Sequence, residues 1–256
     1  MSELRFISLF SGSSGNCEYI KYKDTEILID AGKSARCVRC ALESIGTDIS
    51  RIKGIFVTHE HSDHTAGLCV LSRRDKIPVH MTVSSAGGLC ELPEHLRTHA
   101  TAYEETVGDI TVRSFAVPHD SACAVGYVIE AGSHKLAVAT DMGYLTKEAV
   151  ASLAGCEYAV VESNYDEEML RSGPYPESLK ERIAGKGGHL SNSEGALLAA
   201  VLTKTGAKRI ALGHLSAENN KGEKALAAAK AEMLRRSLDG DVIVLSREEV
   251  TVIADI

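Results

Sequence analysis

Seven consecutive residues, Thr58-His59-Glu60-His61-Ser62-Asp63-His64, constrain this chain more than any other stretch. Three imidazoles and the Asp63 carboxylate fall together directly after Ile52-Lys53-Gly54-Ile55-Phe56-Val57, an apolar run that predicts a buried β-strand. The chemistry therefore sits where a strand ends. In an extended or tightly turned segment His59 and His61 point to the same side, because side chains two apart share a face, and together they can grip one metal ion. Asp63 and His64 follow at the start of a predicted helix over residues 63–72, which aims a second pair of ligands at the same cavity. Two adjacent metal sites are implied. Imidazole and carboxylate without thiolate suit zinc, manganese or iron rather than an all-cysteine structural zinc site.

Other strand ends repeat the pattern. The predicted strand 109–117 runs into Pro118-His119-Asp120, and the hairpin 123–130 and 134–139 delivers Thr140-Asp141-Met142-Gly143. Asp141 is either a turn-forming Asp-x-Gly or a bridge between two metals, since a carboxylate offers two oxygens. Strand 157–162 leads into Ser163-Asn164-Tyr165-Asp166, whose amide or carboxylate can accept a hydrogen bond from a metal-bound histidine. Strand 207–212 ends in Gly213-His214-Leu215-Ser216. Between them Gly185-Lys186-Gly187-Gly188 approaches His189, and Ser191 or Asn192 caps a helix to residue 203 whose free amides can receive an anion.

Near the start, strand 5–10 meets the turn Ser11-Gly12-Ser13-Ser14-Gly15-Asn16, which is either a tight connection or a backbone wall beside a phosphate. Strands 17–22 and 26–30 form a hairpin. Helix 34–45 then carries Arg36 and Arg39 after Lys33, a positive cluster at the cleft mouth or on a solvated face. Strand 76–81, a short helix 83–89, a helix 220–238 and closing strands 241–245 and 250–253 complete the pattern. His80, His95, His99 and His134 belong to no motif and read as ordinary histidines.

A chain of 256 residues with 44% hydrophobic and 25% charged residues fits one globular domain, and no apolar stretch is long enough to span a bilayer. The first five residues lack the basic and apolar regions of a secretory signal. Seven scattered cysteines make no disulfide framework, so a cytoplasmic location is expected; Cys37-Val38-Arg39-Cys40 lacks a second pair and reads as part of the helix. A net charge of −7 argues against a broad nonspecific hold on nucleic acid while leaving room for a local basic patch.

The ordered set His59, His61, Asp63, His64, His119, Asp141 and His214 resembles the metal-binding set of the metallo-β-lactamase superfamily, and the likeness spans the whole chain. The resemblance implies an α/β fold, a single-domain αββα sandwich over residues 1–256, with a binuclear centre in a cleft at one edge of two sheets. By that pattern His59, His61 and His119 hold one divalent ion, Asp63, His64 and His214 the other, and Asp141 bridges. Zinc or manganese is expected, and iron also fits.

Phe10-Ser11-Gly12-Ser13-Ser14-Gly15-Asn16, Val161-Glu162-Ser163-Asn164-Tyr165-Asp166, Gly188-His189-Leu190-Ser191-Asn192 and His214-Leu215-Ser216 resemble the bacterial YycJ-like branch, also called VicX or WalJ. That branch is related to phosphodiesterases of the RNase Z and DNA-repair nuclease type and is regarded as a DNA exonuclease. In such nucleases a histidine between the bridging Asp and the last ligand assists catalysis, and His189 is the only histidine in that interval. The resemblance thus implies a DNA-cleaving phosphodiesterase using a hydroxide activated by two metal ions. Asp63 would orient the nucleophile or take its proton; His189 would bind a phosphate oxygen or protonate the leaving alkoxide, with Ser191 and Asn192 beside the substrate. The chain lacks an inserted domain like that of the β-CASP nucleases and an obvious exosite arm like that of RNase Z, so its grip on DNA is smaller or shared within a homo-oligomer. Because the same activated water hydrolyses esters, the alternative is a metallo-hydrolase of a small ester, thioester or lactone. A di-iron redox protein would tend to have Glu where His61 stands.

Overall fold

The central strands read as continuous apolar runs because both of their faces are covered. The computed structural model describes residues 3–256, so Met1 and Ser2 of the amino-terminal stretch read for a signal lie outside it. The amino-terminal half contains β1 (Leu4–Phe10), β2 (Cys17–Tyr22), β3 (Thr25–Ile29), α1 (Ala35–Ser44), β4 (Ile52–Phe56), α2 (Ser62–Thr65), α3 (Leu68–Asp75), β5 (Val79–Thr82), α4 (Val83–Gly87) and β6 (Leu96–His99). After it come β7 (Glu104–Val107), β8 (Ile110–Ala116), β9 (Val125–Ala131), β10 (His134–Ala139), α5 (Lys147–Leu153), β11 (Tyr158–Glu162), α6 (Glu167–Ser172) and α7 (Glu177–Ala184). The last elements are α8 (Asn192–Lys204), β12 (Arg209–Gly213), α9 (Gly222–Arg235), β13 (Asp241–Val244) and β14 (Thr251–Asp255).

Two seven-stranded sheets result, ordered β14-β1-β2-β3-β4-β5-β6 and β13-β12-β11-β10-β9-β8-β7. Phe6, Ile20, Ile27, Ile29 and Phe56 of the first meet Ile110, Tyr127, Ile129, Val138 and Val160 of the second in a shared apolar layer. Alternate residues of the same strands face outward. Ile7, Leu28 and Ile55 pack with Val38, Leu42, Leu68 and Leu71 from α1 and α3. On the other side Ala159, Val161, Ile210 and Leu212 pack with Leu153, Leu198, Ala199 and Ala229 from α5, α8 and α9. This is the expected αββα sandwich, with helices on the outer face of each sheet.

Two local expectations change. The helix expected over residues 63–72 is two short helices, α2 and α3, because the Gly67 amide leaves the helical ladder to bond the Ala31 carbonyl at 2.9 Å. Strands β6 and β7 were not anticipated. They are half-exposed edge strands, LRTH and EETV, whose polar faces carry no apolar alternation.

The topology fixes where chemistry collects. Strands β3, β4 and β5 run parallel in one sheet, and β10, β11 and β12 run parallel in the other. Their carboxyl ends share one edge of the sandwich, the usual position of a site in sheets of this kind. There Val125 N donates to Thr58 O at 3.1 Å and the Tyr127 hydroxyl to Val57 O at 2.6 Å, tying the histidine turn to the opposite sheet.

Candidate metal centre

Three of the strands arriving at this edge turn sharply. Asp30 after β3, Asp141 after β10 and His214 closing β12 have φ of 61°, 57° and 56°. Left-handed backbone is uncommon outside glycine, is best tolerated by Asp, Asn and His, and stores about 1–3 kcal/mol per residue. The turns also pass very close to one another. A Cβ on Gly32 would overlap the Asp63 carbonyl, and one on Gly143 would overlap the Lys186 carbonyl, so only glycine lets these loops interleave.

Hydrogen bonding orients the imidazoles. His59 Nδ1 donates to Thr58 Oγ1 at 3.1 Å, and that hydroxyl donates to Asp30 Oδ2 at 2.9 Å. His64 Nδ1 donates to the same Asp30 oxygen at 2.7 Å, His119 Nδ1 to Gly188 O at 3.0 Å, and His214 Nδ1 to Glu162 Oε1 at 2.9 Å. In all four Nδ1 is the anchored nitrogen and Nε2 is the one turned toward the cluster, the arrangement that metal-binding histidines use. His61 instead presents Nδ1, which lies 3.4 Å from His119 Nε2.

The free donors fall into adjoining groups, each with its atoms within 4.8 Å of one another: His59, His61 and His119; Asp63, His64 and His214; and His59, His64 and Asp141. Asp63 Oδ2 lies 3.5 Å from both His64 Nε2 and His214 Nε2. Asp141 stands between the groups, with Oδ2 at 3.3 Å from His64 Nε2 and Oδ1 at 3.8 Å from His119 Nε2. Among the described residues, His59 Nε2 and Asp141 Oδ2 are buried without a hydrogen-bond partner. Leaving such atoms unpaired costs about 1–3 kcal/mol each, and a divalent cation among them removes that penalty. The residues present therefore fit metal binding, and all seven expected ligands come together.

His189 adjoins this set. Its ring centroid is 5.2 Å from those of His119 and His214, and its Nδ1 donates to Glu162 Oε1 at 2.8 Å, leaving Nε2 free. Its side chain keeps 21% of its surface accessible, whereas those of His119 and His214 keep 1% and 2%, so His189 is on the open side of the cluster. Glu162 is itself close enough to be counted with Asp141, His189 and His214 as a donor. Its oxygens are already engaged, however, by both imidazoles and by the Met142 and Leu190 amides at 2.7 and 3.1 Å. It positions the histidines instead.

Ser191 and Asn192, expected beside the substrate, are placed otherwise. The Ser191 hydroxyl accepts from Glu194 N at 3.3 Å in a capping box at the start of α8, and Asn192 Oδ1 accepts from Ser163 Oγ at 2.7 Å and Asn220 Nδ2 at 2.8 Å. Both are buried and bonded within the chain. Glu60, inside the histidine motif, bonds Ala122 N at 2.6 Å and so ties the motif to the His119 loop.

Burial, reinforced by the neighbouring imidazoles, pushes the His59 and His119 rings below the ordinary histidine range. Burial also opposes charge on His64, His214 and His189, but carboxylates outweigh it and raise all three: Asp30 and Asp141 at His64, Asp141, Asp63 and Glu162 at His214, and Glu162 at His189. At Asp63 burial is likewise outweighed, and bonds from His214 and His64 hold its carboxyl well below the usual range. The site surrounds its nitrogen donors with negative charge, a field that attracts a cation.

Asp30, Thr58, Glu162 and Asn16 were not singled out by the sequence. Asn16 Nδ2 lies 3.1 Å from His64 Nε2 and 3.4 Å from Asp63 Oδ2, so the Gly/Ser turn closes one side of the centre. A signal for two of them existed, since Asp30 and Glu162 are carboxylates at ends of apolar strands, the positions already used to find His119 and His214.

A family model described as a β-lactamase superfamily domain matches residues 25–215. An exodeoxyribonuclease named YycJ from Bacillus anthracis is 38% identical over 225 residues, covering 86% of this chain and 85% of that protein. The exodeoxyribonuclease WalJ of Streptococcus pneumoniae serotype 2 (strain D39) is 33% identical over 231 residues, with the same coverage. Among solved structures, the metallo-β-lactamase fold protein YhfI of Bacillus subtilis superposes with a TM-score of 0.71 at 15% identity, covering 97% of this chain and 99% of that one. The short form of human tRNase Z gives 0.67 at 18% identity, again covering 97% and 99%. The chain belongs to the metallo-β-lactamase superfamily, in the branch that contains YycJ and WalJ.

Proposed function

We propose that this protein is a metal-dependent phosphodiesterase that degrades DNA from an end, as the names of its YycJ and WalJ relatives describe for them. His59, His61 and His119 would hold one divalent ion and Asp63, His64 and His214 a second, with Asp141 available to both; zinc or manganese suits these donors, and iron also does. Bound ions of this kind supply Lewis acidity toward a phosphoryl oxygen and lower the pKa of an attacking water. Asp63 keeps Oδ1 without a hydrogen bond among the described residues, and that oxygen would orient the attacking water or take its proton. His189 steadies a phosphate oxygen or protonates the departing alkoxide through its free Nε2, while Glu162 fixes the ring. We assign the enzyme to the cytoplasm on its cysteine usage.

The observation that carries this reading is His189, an imidazole beside the ligand set with one nitrogen anchored and the other free. Incubation of metal-loaded protein with end-labelled single- and double-stranded DNA, RNA, a lactone and a thioester tests it. Progressive shortening of DNA, stopped by a chelator and restored by added metal, is expected. Turnover of the lactone or thioester with DNA left intact would select the small-ester alternative.

A further inference from the structure

We infer that Ser14 and Lys33 form an anion subsite for a DNA phosphate next to the scissile one, and that the Glu248 carboxylate covers it in the free protein. The inference rests on the DNA-cleaving reading above. Lys33 Nζ lies 3.1 and 3.3 Å from the two Glu248 oxygens and donates to Ser14 Oγ at 3.1 Å, while the Ser14 hydroxyl donates to Glu248 Oε1 at 3.2 Å. An ammonium and a hydroxyl thus converge on one anion, the donor pair that a phosphate oxygen would also engage.

The position is fixed relative to the metal centre. The Lys33 stem lies across the Gly/Ser turn, within 2.8 Å of where a Gly15 Cβ would stand, and its ammonium lies 5.8 Å from the Phe10 ring centroid. The next residue of the turn, Asn16, touches His64 and Asp63. On the other side Gly32, the residue before Lys33, packs against the Asp63 backbone. Lys33 is therefore held by both neighbours of the second donor group, at the rim rather than in it.

The two partners differ in how firmly they are placed. The Lys33 side chain is 17% accessible and that of Glu248 65%. Glu248 sits in the connection between β13 and β14, where its amide reaches Ser246 Oγ at 3.4 Å. That connection lines an open hollow of about 440 Å³ with Ser216 and Asn220, so it has room to move away. An exposed ion pair of this sort contributes little to stability. In a chain of net charge −7, though, it neutralises a cation beside the centre, where a polyanionic substrate has most need of one.

The test compares steady-state cleavage of single-stranded DNA with hydrolysis of bis(para-nitrophenyl) phosphate, which has a single phosphorus, using metal-loaded full-length protein. Glu248→Gln is expected to lower KM for DNA by about threefold at low ionic strength, the scale of one exposed ion pair, with no matching gain on the small diester. The gain should vanish in a Lys33→Ala background and at high salt. Glu249→Gln controls for loss of one negative charge in the same connection and should leave KM unchanged. An unchanged or higher KM for Glu248→Gln, or an equal gain from Glu249→Gln, overturns the subsite. Failure of the unsubstituted protein to cut DNA overturns the reading beneath it, and the subsite with it. Inorganic phosphate should compete with DNA more weakly in Lys33→Ala; equal competition also counts against the subsite.

Discussion

The two halves of the centre are assembled by different means. The first sheet contributes His59, His61, Asp63 and His64 from one turn; the second contributes His119, Asp141, His189 and His214 from four separate loops. In the first half local chain geometry sets the spacing, and Asp30 holds His64 directly and His59 through Thr58. In the second half no local sequence can set it. Glu162 does so instead, joining two imidazoles and the amides of Met142 and Leu190 through one carboxylate. A dispersed half-site leans on a hub, whereas a contiguous one needs only a brace.

The largest effects should come from one donor of each half. His59→Ala and Asp141→Ala are each expected to abolish metal-dependent DNA cleavage while leaving a soluble, folded protein, read by activity, metal analysis and circular dichroism. Undiminished cleavage in either variant would break the assignment of that half.

The hub and the brace come next. Asp30→Asn should lower metal affinity or activity by roughly tenfold to a hundredfold, the usual effect of losing a partner behind a metal-bound histidine. Glu162→Gln should cost at least about a hundredfold, because an amide keeps one acceptor oxygen where the carboxylate serves two imidazoles with one oxygen and two backbone amides with the other, so one pair is left facing an NH2 group. Metal titration and kcat measured side by side decide the matter. If Asp30→Asn proved the more damaging, the hub would be the wrong description of the second half.

His189→Ala should then reduce kcat by roughly a hundredfold, the scale of a lost general acid, with metal content retained. A collapse of metal content would make His189 a ligand and move it into the second half's donor set.

The same contrast explains what could be read in advance. The strand-turn-helix around His59 was legible because its residues are adjacent and the preceding strand is continuously apolar, and His119, Asp141 and His214 followed from strand ends. The sandwich itself followed from the resemblance, since short apolar runs fix neither strand order nor which sheet a strand joins. Glu162 was hidden because a buried carboxylate ending an apolar strand looks in sequence like the strand's polar boundary. Ser191 and Asn192 are ambiguous for the opposite reason: residue types that bind substrates also cap helices, and here the side chain of one joins the capping box and that of the other the Ser163 and Asn220 network. β6 and β7 escaped because edge strands with polar faces have no period to detect.

The smallest effect concerns the strand under the first half. Glu26 lies near the start of β3 and Asp30 follows its end, and Glu26 is buried where it accepts bonds from Tyr19 at 2.9 Å, Thr47 at 2.6 Å and Arg51 at 2.5 Å. Burial works against its charge, yet Thr47, Arg51 and Tyr19 prevail and hold its carboxyl below the ordinary range. For a carboxylate lowered in this way, stabilisation is complete above the unfolded-state pKa of about 4.3 and is lost as pH falls through the folded-state value. Glu26→Gln should therefore lower stability at neutral pH by about 1–3 kcal/mol, the cost of leaving buried partners badly matched. The difference from the unsubstituted protein should begin to narrow as pH drops below about 4.3 and should vanish only below the lowered folded-state value, where both carry a neutral side chain. Denaturant unfolding at pH 7 and pH 3.5 measures it, and a gap that stays constant between them would remove the carboxylate's charge as the cause. Per-molecule activity should not change, because Glu26 braces the strand and leaves the position of Asp30 to Thr58 and His64.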